Sequence, residues 1–319
     1  MVLKTGFACE STQCSMMAPC ENHLEIIRND IGENEARLEN SEVILFKWID
    51  CQQHFPKNYD KNFVRNFLRG SKHDMERTKQ RLETHFATKS SFPGIFKNRI
   101  VDQELVDIFN AVNIFPLPKL TKDGHRLLVF KIQENDLKKI DFNLSLKIFF
   151  MIYDVLLKNY NPVAKEIAIF DCEHSSSVHI MNALISIRNH MQLLRQCYAI
   201  RLKEIHVVKA HSAVEKSVAF LKPVLHAKIR NSFIFHQDAN SLVDRFGEDI
   251  LPSNYGGKCK SFSELTEDWL EILRENEGWF REQEQVEIDS SMMPREKMSC
   301  VYFEDQIGTE GSFRKLEID

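Results

Sequence analysis

The sequence predicts an α/β fold preceded by a helical region. Three strand-like apolar runs, at 127–132, 167–171 and 204–209, alternate with two long helical segments. This alternation is typical of a parallel layer whose strands are joined by right-handed crossovers. The chain before residue 100 has helical periodicity and no comparable strand pattern. We therefore predict an α/β domain with a small sheet that follows an all-α module.

Composition divides the chain into four regions. The first residues are polar, bear three cysteines and have no apolar period, and the last stretch has nine acidic against four basic residues. Both patterns are typical of disorder. We predict a disordered arm at 1–24, a helical module at 25–100, an α/β domain at 101–283 and an acidic disordered tail at 284–319.

Capping residues mark the helices of the module. Ser41 precedes an apolar run and is predicted to be an N-cap. Asp60 is predicted to cap a second helix, with Gly70 just past its end. Asp74 is predicted to begin a third helix.

The α/β region then follows in a regular order. The stretch from Ile108 to Leu120 is interrupted by prolines, which favours a connection. The segment 141–158 is apolar around its whole circumference, and 177–198 has a single apolar stripe. A third helix at 211–230 contains Pro223, which predicts a kink. Three such helices around a small sheet are compatible with an enclosed cavity and also with a tightly filled core.

The bulk properties argue against several classes of protein. The net charge is only −4, so nothing indicates nucleic-acid binding. No apolar run reaches about 18 residues, and the first residues lack the apolar core of a signal peptide. We therefore expect a cytoplasmic chain whose eight cysteines stay reduced.

The sequence has few signals of catalysis or metal binding. It lacks the glycine-rich phosphate loops and the G-x-S-x-G nucleophile motif. His174 and the serines at 175–177 follow a strand end, where active sites of α/β folds often lie, but the same residues suit a loop and an N-cap. Histidine pairs five residues apart do not match a zinc motif. We predict no catalytic residues, no metal and no cofactor.

Basic residues concentrate in one stretch. Between Arg201 and Ser232 there are seven lysines and arginines against two acids. Val214, Val218 and Leu221 recur at helical spacing within it, so they share one face. An amphipathic helix in a basic surround suits an anionic membrane surface. It equally suits a helix whose apolar face packs on the core and whose basic face is solvated.

Several stretches resemble one known family. They are I-H-V-V at 205–208, L-K-P-V-L-H-A-K-I-R at 221–230, D-I-L-P-S-N-Y-G-G at 249–257, F-V-R-N-F-L-R-G at 63–70, D-G-H-R-L-L-V-F-K at 123–131 and I-A-I-F-D at 167–171. Taken in their order along the chain, they resemble the CRAL-TRIO lipid-binding family, in its cellular retinaldehyde-binding and alpha-tocopherol transfer branch. The resemblance implies a CRAL-TRIO fold, in which a small mixed sheet floors a lipid pocket flanked by helices.

The resemblance also implies the site. A mobile gate falls on 209–232, called here the gate segment. The implied pocket residues are Ser145, Phe149, Ile152, Tyr153, Phe170, Leu193, Leu194, Tyr198 and Ile205. Helical periodicity adds Val214, Val218 and Leu221 on the inner face of the gate segment.

Relatives in the tocopherol branch bind phosphoinositide headgroups through a basic cluster. Arg201, Lys203 and Lys228 match basic positions of that cluster, and Lys222 and Arg230 lie close by in sequence. Two positions depart from the branch, because Ser71 and Ser232 stand where it has basic residues. The neighbouring Lys72 or Arg230 is a candidate to supply the missing charge. The sequence K-A-H-S at 209–212 also differs from the family, whose members more often have an Asn and a Pro there. The resemblance places the hinge of the gate at these residues. Ile148 and Ile152 stand where the tocopherol carrier has serines, which favours a more apolar ligand or one held by tyrosines.

Together these features predict a carrier of one hydrophobic small molecule, such as a retinoid, a carotenoid, a tocopherol-like compound or a sterol. A monomer is favoured, but the oligomeric state is left open. It is expected to load and unload at anionic, phosphoinositide-containing membranes, with which it associates transiently. The alternative is a phosphoinositide-binding sensor or adaptor that transfers no lipid. A lipid-modifying enzyme that uses His174 is the weakest hypothesis.

Overall fold

The structure is a computed structural model. It describes residues 19–134, 136, 139–159, 162–176, 178–179, 182, 198, 200–210, 212–221 and 227–293. At residues 213, 217, 220, 221, 227, 228 and 290 the description covers the backbone only. The predicted helix at 177–198 and Pro223 therefore lie largely or wholly outside the described residues.

The N-terminal part is helical, as the sequence predicts. Its helices are α1 (Glu21–Ile31), α2 (Glu35–Cys51), α3 (Lys61–Gly70), α4 (Met75–Ser91) and the short α5 (Pro93–Phe96). The side chains of Asp60 and Asp74 accept backbone N–H groups at the starts of α3 and α4. Both predicted caps are confirmed, because a short carboxylate satisfies amide groups that have no helical partner.

Three details of this module were predicted wrongly. Helix α2 begins six residues before Ser41, capped by Asn34, and Ser41 is buried inside it. Gly70 is the last residue of α3, and the left-handed backbone falls on Lys72 and His73 instead. Helix α1 begins at Glu21, inside the predicted arm, because Ile27 and Ile31 give it a buried face.

A five-stranded mixed sheet forms the centre of the remainder. Its strands are β1 (Val112–Pro116), β2 (Arg126–Ile132), β3 (Glu166–Asp171), β4 (Leu202–Val208) and β5 (Phe233–His236). They lie in the order β1-β2-β3-β4-β5. Strand β1 is antiparallel to β2, and the other neighbours are parallel. The predicted α/β class with a small mixed sheet is confirmed.

The predicted connection at 108–120 was wrong. Helix α6 (Gln103–Ala111) passes directly into β1, whose five residues are all buried. Pro116 is compatible with this strand because β1 is at the edge of the sheet. The prolines therefore mark an edge strand, not a loop.

Helices cover both faces of the sheet. They are α7 (Phe142–Lys158), α8 (Ser212–Leu221), α9 (Ala227–Arg230), α10 (Asn240–Phe246), α11 (Phe262–Glu275) and α12 (Glu277–Gln283). On one face α11 contacts the sheet through Phe262, whose ring lies 5.7 Å from that of Phe115. Phe149 of α7 and Val214 of α8 contact the opposite face.

The helical module and the α/β region share one hydrophobic core. Phe96 of α5 contacts Phe150 of α7 with ring centroids 5.4 Å apart, and His85 of α4 contacts Tyr198 at 5.1 Å. A single cluster of buried side chains runs through both regions. The two are therefore packed together as one body through these helices.

The start of the predicted disordered tail is folded. Val286, Ile288 and Met293 are buried, and the N–H of Asp289 donates to the carbonyl of His54 at 2.9 Å. Since only a few apolar residues make these contacts, the average composition of 284–319 conceals them. Residues 294–319 lie outside the described part. Within the part that is described, no helix is both long enough and apolar enough to cross a bilayer.

Candidate functional site

One face of the sheet is an apolar floor. Side chains that are register partners across parallel strands point to the same face, and alternate residues of each strand share it. The apolar floor consists of two such rows, Leu128, Ala168, Ile205 and Phe233, and Phe130, Phe170, Val207 and Phe235. Its four phenylalanines are only half-buried.

Helix α7 continues the floor as a row of aromatic rings. Phe130 stacks on Phe170 with centroids 4.8 Å apart, and Phe149 stacks on Phe130 at 5.9 Å. Phe149 in turn stacks on Tyr153 at 5.7 Å. Stacked rings offer a large, rigid apolar surface. The predicted pocket residues Phe149, Tyr153 and Phe170 thus lie side by side.

The first part of the gate segment contacts the same floor. Val214 and Val218 of α8 are buried and form a small cluster with Ala168, Ile205 and Val207. The structure therefore brings these two together with Ile205, as helical periodicity predicts. Leu193 and Leu194 lie outside the described residues, as does the side chain of Leu221.

An ion-pair group marks the entrance to the gate segment. Lys209, between β4 and α8, has left-handed backbone with φ 54°. Its ammonium lies 2.7 Å from one oxygen of Glu173, whose other oxygen lies 2.5 Å from Lys131. Hydrogen bonds from these lysines lower the pKa of Glu173 to about 2. Lys209 is thus tied by charge to the residues that follow β3.

The hydroxyl groups of the predicted pocket are already engaged. Ser145 donates to the carbonyl of Asp141 at 2.8 Å. Tyr153 donates to Glu166 at 3.1 Å and Tyr198 to Asp154 at 2.6 Å. The pocket therefore offers a ligand mainly ring surfaces and aliphatic side chains. The fully buried Ile148 and Ile152 are among the aliphatic ones. This arrangement does not fit a ligand that needs a free tyrosine donor.

A cavity of about 60 Å³ lies at the amino-terminal edge of the parallel strands. Its lining includes Arg126, Tyr153, Glu166 and Arg201. Glu166 is buried, burial raises its pKa, and its Oε2 atom has no hydrogen-bond partner. Ligand pockets commonly measure about 300–1,000 Å³, so this cavity has the size for a few water molecules and not for a lipid.

The predicted basic cluster is partly neutralised by other residues. Arg201 donates to the carboxylate of Asp30. The ammonium of Lys203 lies 3.0 Å from Nε2 of His125 and 3.9 Å from Glu204. Burial, followed by the charge of Lys203, lowers the pKa of His125 to about 4, so His125 accepts from the lysine.

The other members of the basic cluster are less fully described. Arg230 is exposed, Lys222 lies outside the described residues, and only the backbone of Lys228 is described. Ser232, a departure from the family pattern, donates its hydroxyl to the carbonyl of Ile229 at 2.8 Å. It therefore ends α9 without contributing charge.

Ser71 and Lys72, where the sequence also departs from the basic pattern of the family, are both engaged by other residues. Ser71 is buried and accepts a hydrogen bond from Arg81 at 3.1 Å. The ammonium of Lys72 lies 3.6 Å from the carboxylate of Asp30, the same group that binds Arg201. Sequence reasoning suggested Lys72 as a substitute base but missed Asp30, for which no local signal exists.

The residues considered for catalysis do not converge. His174 is exposed and lies 3.8 Å from Glu173. Ser176 instead contacts His179, with 2.7 Å between its hydroxyl and Nδ1, and accepts the N–H of His179 in the manner of a helix cap. No group of three or more histidine, cysteine or acidic residues within the described ranges is arranged to hold a metal ion.

Two family profiles match successive parts of the chain. A profile of the CRAL/TRIO domain matches residues 110–257, and a profile described as Pinta-like, UBA domain matches residues 34–106. Proteins named alpha-tocopherol transfer protein-like from Mus musculus and Homo sapiens are each 24% identical over 213 residues, which is 66% of this chain. The match spans 61% of each relative's length. The crystal structure of Sfh5 aligns with 81% of this chain and 97% of its own, with TM-score 0.44 and 13% identity.

Proposed function

Because the chain belongs to the CRAL/TRIO family, we propose that it binds a hydrophobic small molecule and carries it between membranes. The observation that supports this most directly is the apolar floor, whose four phenylalanines are only half-buried. Large apolar side chains in a core of this size are normally buried. A row of partly accessible rings beneath the gate segment suits an apolar guest.

The energetic need for such a surface is large. Each methylene lifted from a bilayer into water costs about 0.8 kcal/mol, so a chain of about 16 methylenes costs roughly 13 kcal/mol. A carrier lowers this cost only if its site is equally apolar. The rings of Phe130, Phe149 and Phe170, stacked within 4.8 to 5.9 Å, provide such a surface.

The chemistry of the walls favours a ligand with few polar groups. The hydroxyls of Ser145, Tyr153 and Tyr198 already donate within the protein. Ile148 and Ile152 add aliphatic surface. A retinoid, carotenoid, sterol or tocopherol-like compound would therefore be recognised mainly by shape and apolar contact.

Loading is proposed to occur at anionic membranes. Arg201 precedes β4, and Lys203 lies near the start of that strand. Arg230 ends α9, just before β5, which pairs with β4. Basic residues near a membrane surface each contribute about 1 kcal/mol to attraction by anionic lipids. We propose that phosphoinositide headgroups bind here while the gate segment opens. No catalytic step is part of the proposal.

Two measurements test the proposal together. Mass spectrometry of an organic extract of the purified chain should yield one predominant hydrophobic compound. A fluorescent tocopherol, a fluorescent sterol and retinal should then be compared for transfer between phosphatidylcholine vesicles with and without phosphatidylinositol bisphosphate. Transfer of at least one probe is expected. Binding to the phosphoinositide vesicles without transfer of any probe would favour a sensor or adaptor, and an empty extract without transfer would overturn the carrier.

A further inference from the structure

Asp30, the next-to-last residue of α1, binds the basic residues to which a headgroup is proposed to bind. Its carboxylate accepts from Arg201 and lies 3.6 Å from the ammonium of Lys72. The same ammonium donates to the backbone carbonyl of Asp30 at 3.1 Å. Partial burial alone would raise the pKa of Asp30, but Arg201, Lys72 and Lys165 lower it. The carboxylate is therefore a stable anion at neutral pH.

A second acid ties the same region to α1. Glu33 accepts two hydrogen bonds from Nε of Arg69, at 2.8 and 3.1 Å, and one from Nη2 of the same side chain at 2.6 Å. It also lies 2.9 Å from Nε2 of His73. Burial would raise the pKa of Glu33, yet the hydrogen bonds from His73 and Arg69 lower it to about 2.

The loop after α3, which contains Lys72 and His73, has an uncommon backbone conformation. Both residues contact the acids at and just beyond the end of α1. Lys72 and His73 are consecutive non-glycine residues with φ of 56° and 59°. This left-handed region is disfavoured for residues with a Cβ atom, so surrounding contacts must maintain it. The contacts of Lys72 with Asp30 and of His73 with Glu33 are of this kind.

The apolar attachment of α1 is small. Ile27, Ile31 and Ala164 form a cluster of their own, separate from the main core. Because burial energy is roughly proportional to the apolar area removed from water, two isoleucines attach the helix only weakly. Helix α1 itself is therefore held by these few apolar contacts and by the ion pairs of Asp30 with Arg201 and Lys72. Glu33 anchors the chain just beyond the helix, so the helix up to Ile31 is the part suited to displacement.

We propose that α1 is an intramolecular competitor for the headgroup site, in which the carboxylate of Asp30 occupies the place of a phosphate group on Arg201 and Lys72. The proposal rests on the headgroup site of the proposed function. Its ligand class is a polyphosphorylated inositol, either as a lipid headgroup or free in solution. Such a ligand brings several charges and displaces the single carboxylate of Asp30, which releases the end of α1.

The matched variants are Asp30→Asn and Glu25→Gln. Both remove one negative charge from α1, but Glu25 is exposed and lies away from the carboxylate site in sequence. Binding is measured to phosphatidylcholine vesicles with phosphatidylinositol bisphosphate and, separately, to soluble inositol trisphosphate. Because partly exposed ion pairs are weak, Asp30→Asn is expected to tighten binding by about threefold. Glu25→Gln is expected to bind as the unchanged chain does.

A second readout follows the helix itself. Backbone amide exchange of residues 21–31 in the unchanged chain should accelerate when inositol trisphosphate is added, and exchange in β3 should not. If Asp30→Asn binds inositol trisphosphate more tightly than the unchanged chain does, but binds the vesicles equally, the competitor is supported. The ligand is then a free inositol phosphate and not a lipid headgroup. Equal binding by Asp30→Asn and the unchanged chain, with no change in exchange, would overturn the competitor while leaving the headgroup site intact.

Absence of binding by both chains would reject the headgroup site itself. If neither chain binds vesicles or inositol trisphosphate, the headgroup site does not exist and the competitor is overturned with it. Transfer of a hydrophobic probe between phosphatidylcholine vesicles, measured on the same preparations, then decides separately whether the carrier function stands.

Discussion

The hydroxyl of Tyr198 lies 2.6 Å from Oδ1 of Asp154, and the guanidinium of Arg99 lies 2.6 Å from the other oxygen of that carboxylate. All three side chains are buried. Arg99 comes from the end of the helical module, Asp154 from α7, and Tyr198 from the residues that precede β4. The carboxylate therefore joins three separate parts of the chain through charge-assisted hydrogen bonds.

Asp154→Ala is expected to destabilise the fold strongly. It leaves the guanidinium of Arg99 buried without its anion, and breaking a buried pair typically costs about 3–5 kcal/mol. Tyr198→Phe removes one hydrogen bond and should cost about 1–3 kcal/mol. Urea unfolding followed by circular dichroism measures both. The exposed Glu267 supplies the control, since Glu267→Gln should change stability by less than about 0.5 kcal/mol. Equal stability of Asp154→Ala and the control would contradict the role of the carboxylate.

Stability is expected to fall as the pH drops from about 7 to about 5. Burial lowers the pKa of His206 to about 4 from an ordinary 6.5, although Glu204 lies 3.1 Å from Nε2. His236 lies 2.8 Å from Nδ1 and adds to the effect. His125 has a similarly low pKa of about 4. The unfolded chain binds these protons first, so protons favour the unfolded state between about pH 6.5 and 4.

Urea midpoints measured at a series of pH values test this expectation. His206→Gln removes one of the groups, so its stability should depend less steeply on pH in this window, whatever its absolute stability. His174→Gln is the matched control, because it removes a histidine that is exposed in the folded chain. Its pH dependence should equal that of the unchanged chain. A His206→Gln profile parallel to the control would show that His206 is not the titrating group.

A substitution in the apolar floor distinguishes a hollow interior from a filled one. Ala168 lies in the floor between its register partners Leu128 and Ile205. If space for a ligand lies above it, Ala168→Phe should fold with nearly unchanged thermal stability in the ligand-free state and lose ligand. If the interior is filled, overpacking should cost about 1–3 kcal/mol.

The control for this substitution is Ala87→Phe in α4. Ala87 is buried in the main core, where an added ring has no space, and the variant should be clearly destabilised. Thermal unfolding and extraction of bound ligand are measured on both variants. If Ala168→Phe loses as much stability as Ala87→Phe, the floor is ordinary core.

The sequence predicted the elements whose patterns are long and uninterrupted. Helix α7 and strand β3 are nearly as expected because apolar residues dominate both sequences. Strand β1 was missed because Asn113 and Pro116 disrupt its pattern. Asn113 is satisfied by Thr266, 3.2 Å away on α11, a contact between residues 153 positions apart that no local pattern indicates.

The site was predicted less completely than the fold. Phe170 and Ile205 were identified, but Phe233 and Phe235 were not, because their shared face depends on the pairing of β5 with β4. The contact of Asp30 with Arg201 joins residues separated by 171 positions. Periodicity and composition report on neighbours along the chain, so an ion pair of this range becomes visible only in three dimensions.

Charge reversal at Lys203 is expected to weaken association with anionic vesicles. Each basic residue near the surface contributes about 1 kcal/mol, so replacing attraction by repulsion in Lys203→Glu should cost about 2 kcal/mol, or roughly 30-fold. Vesicle co-sedimentation measures it. Lys47→Glu, at an exposed position of α2, makes the same change in net charge and should have much less effect. The difference should shrink as salt rises, because the screening length falls from about 10 Å at 0.1 M to about 3 Å at 1 M. Equal losses in both variants would mean that net charge, and not the basic cluster, governs the association.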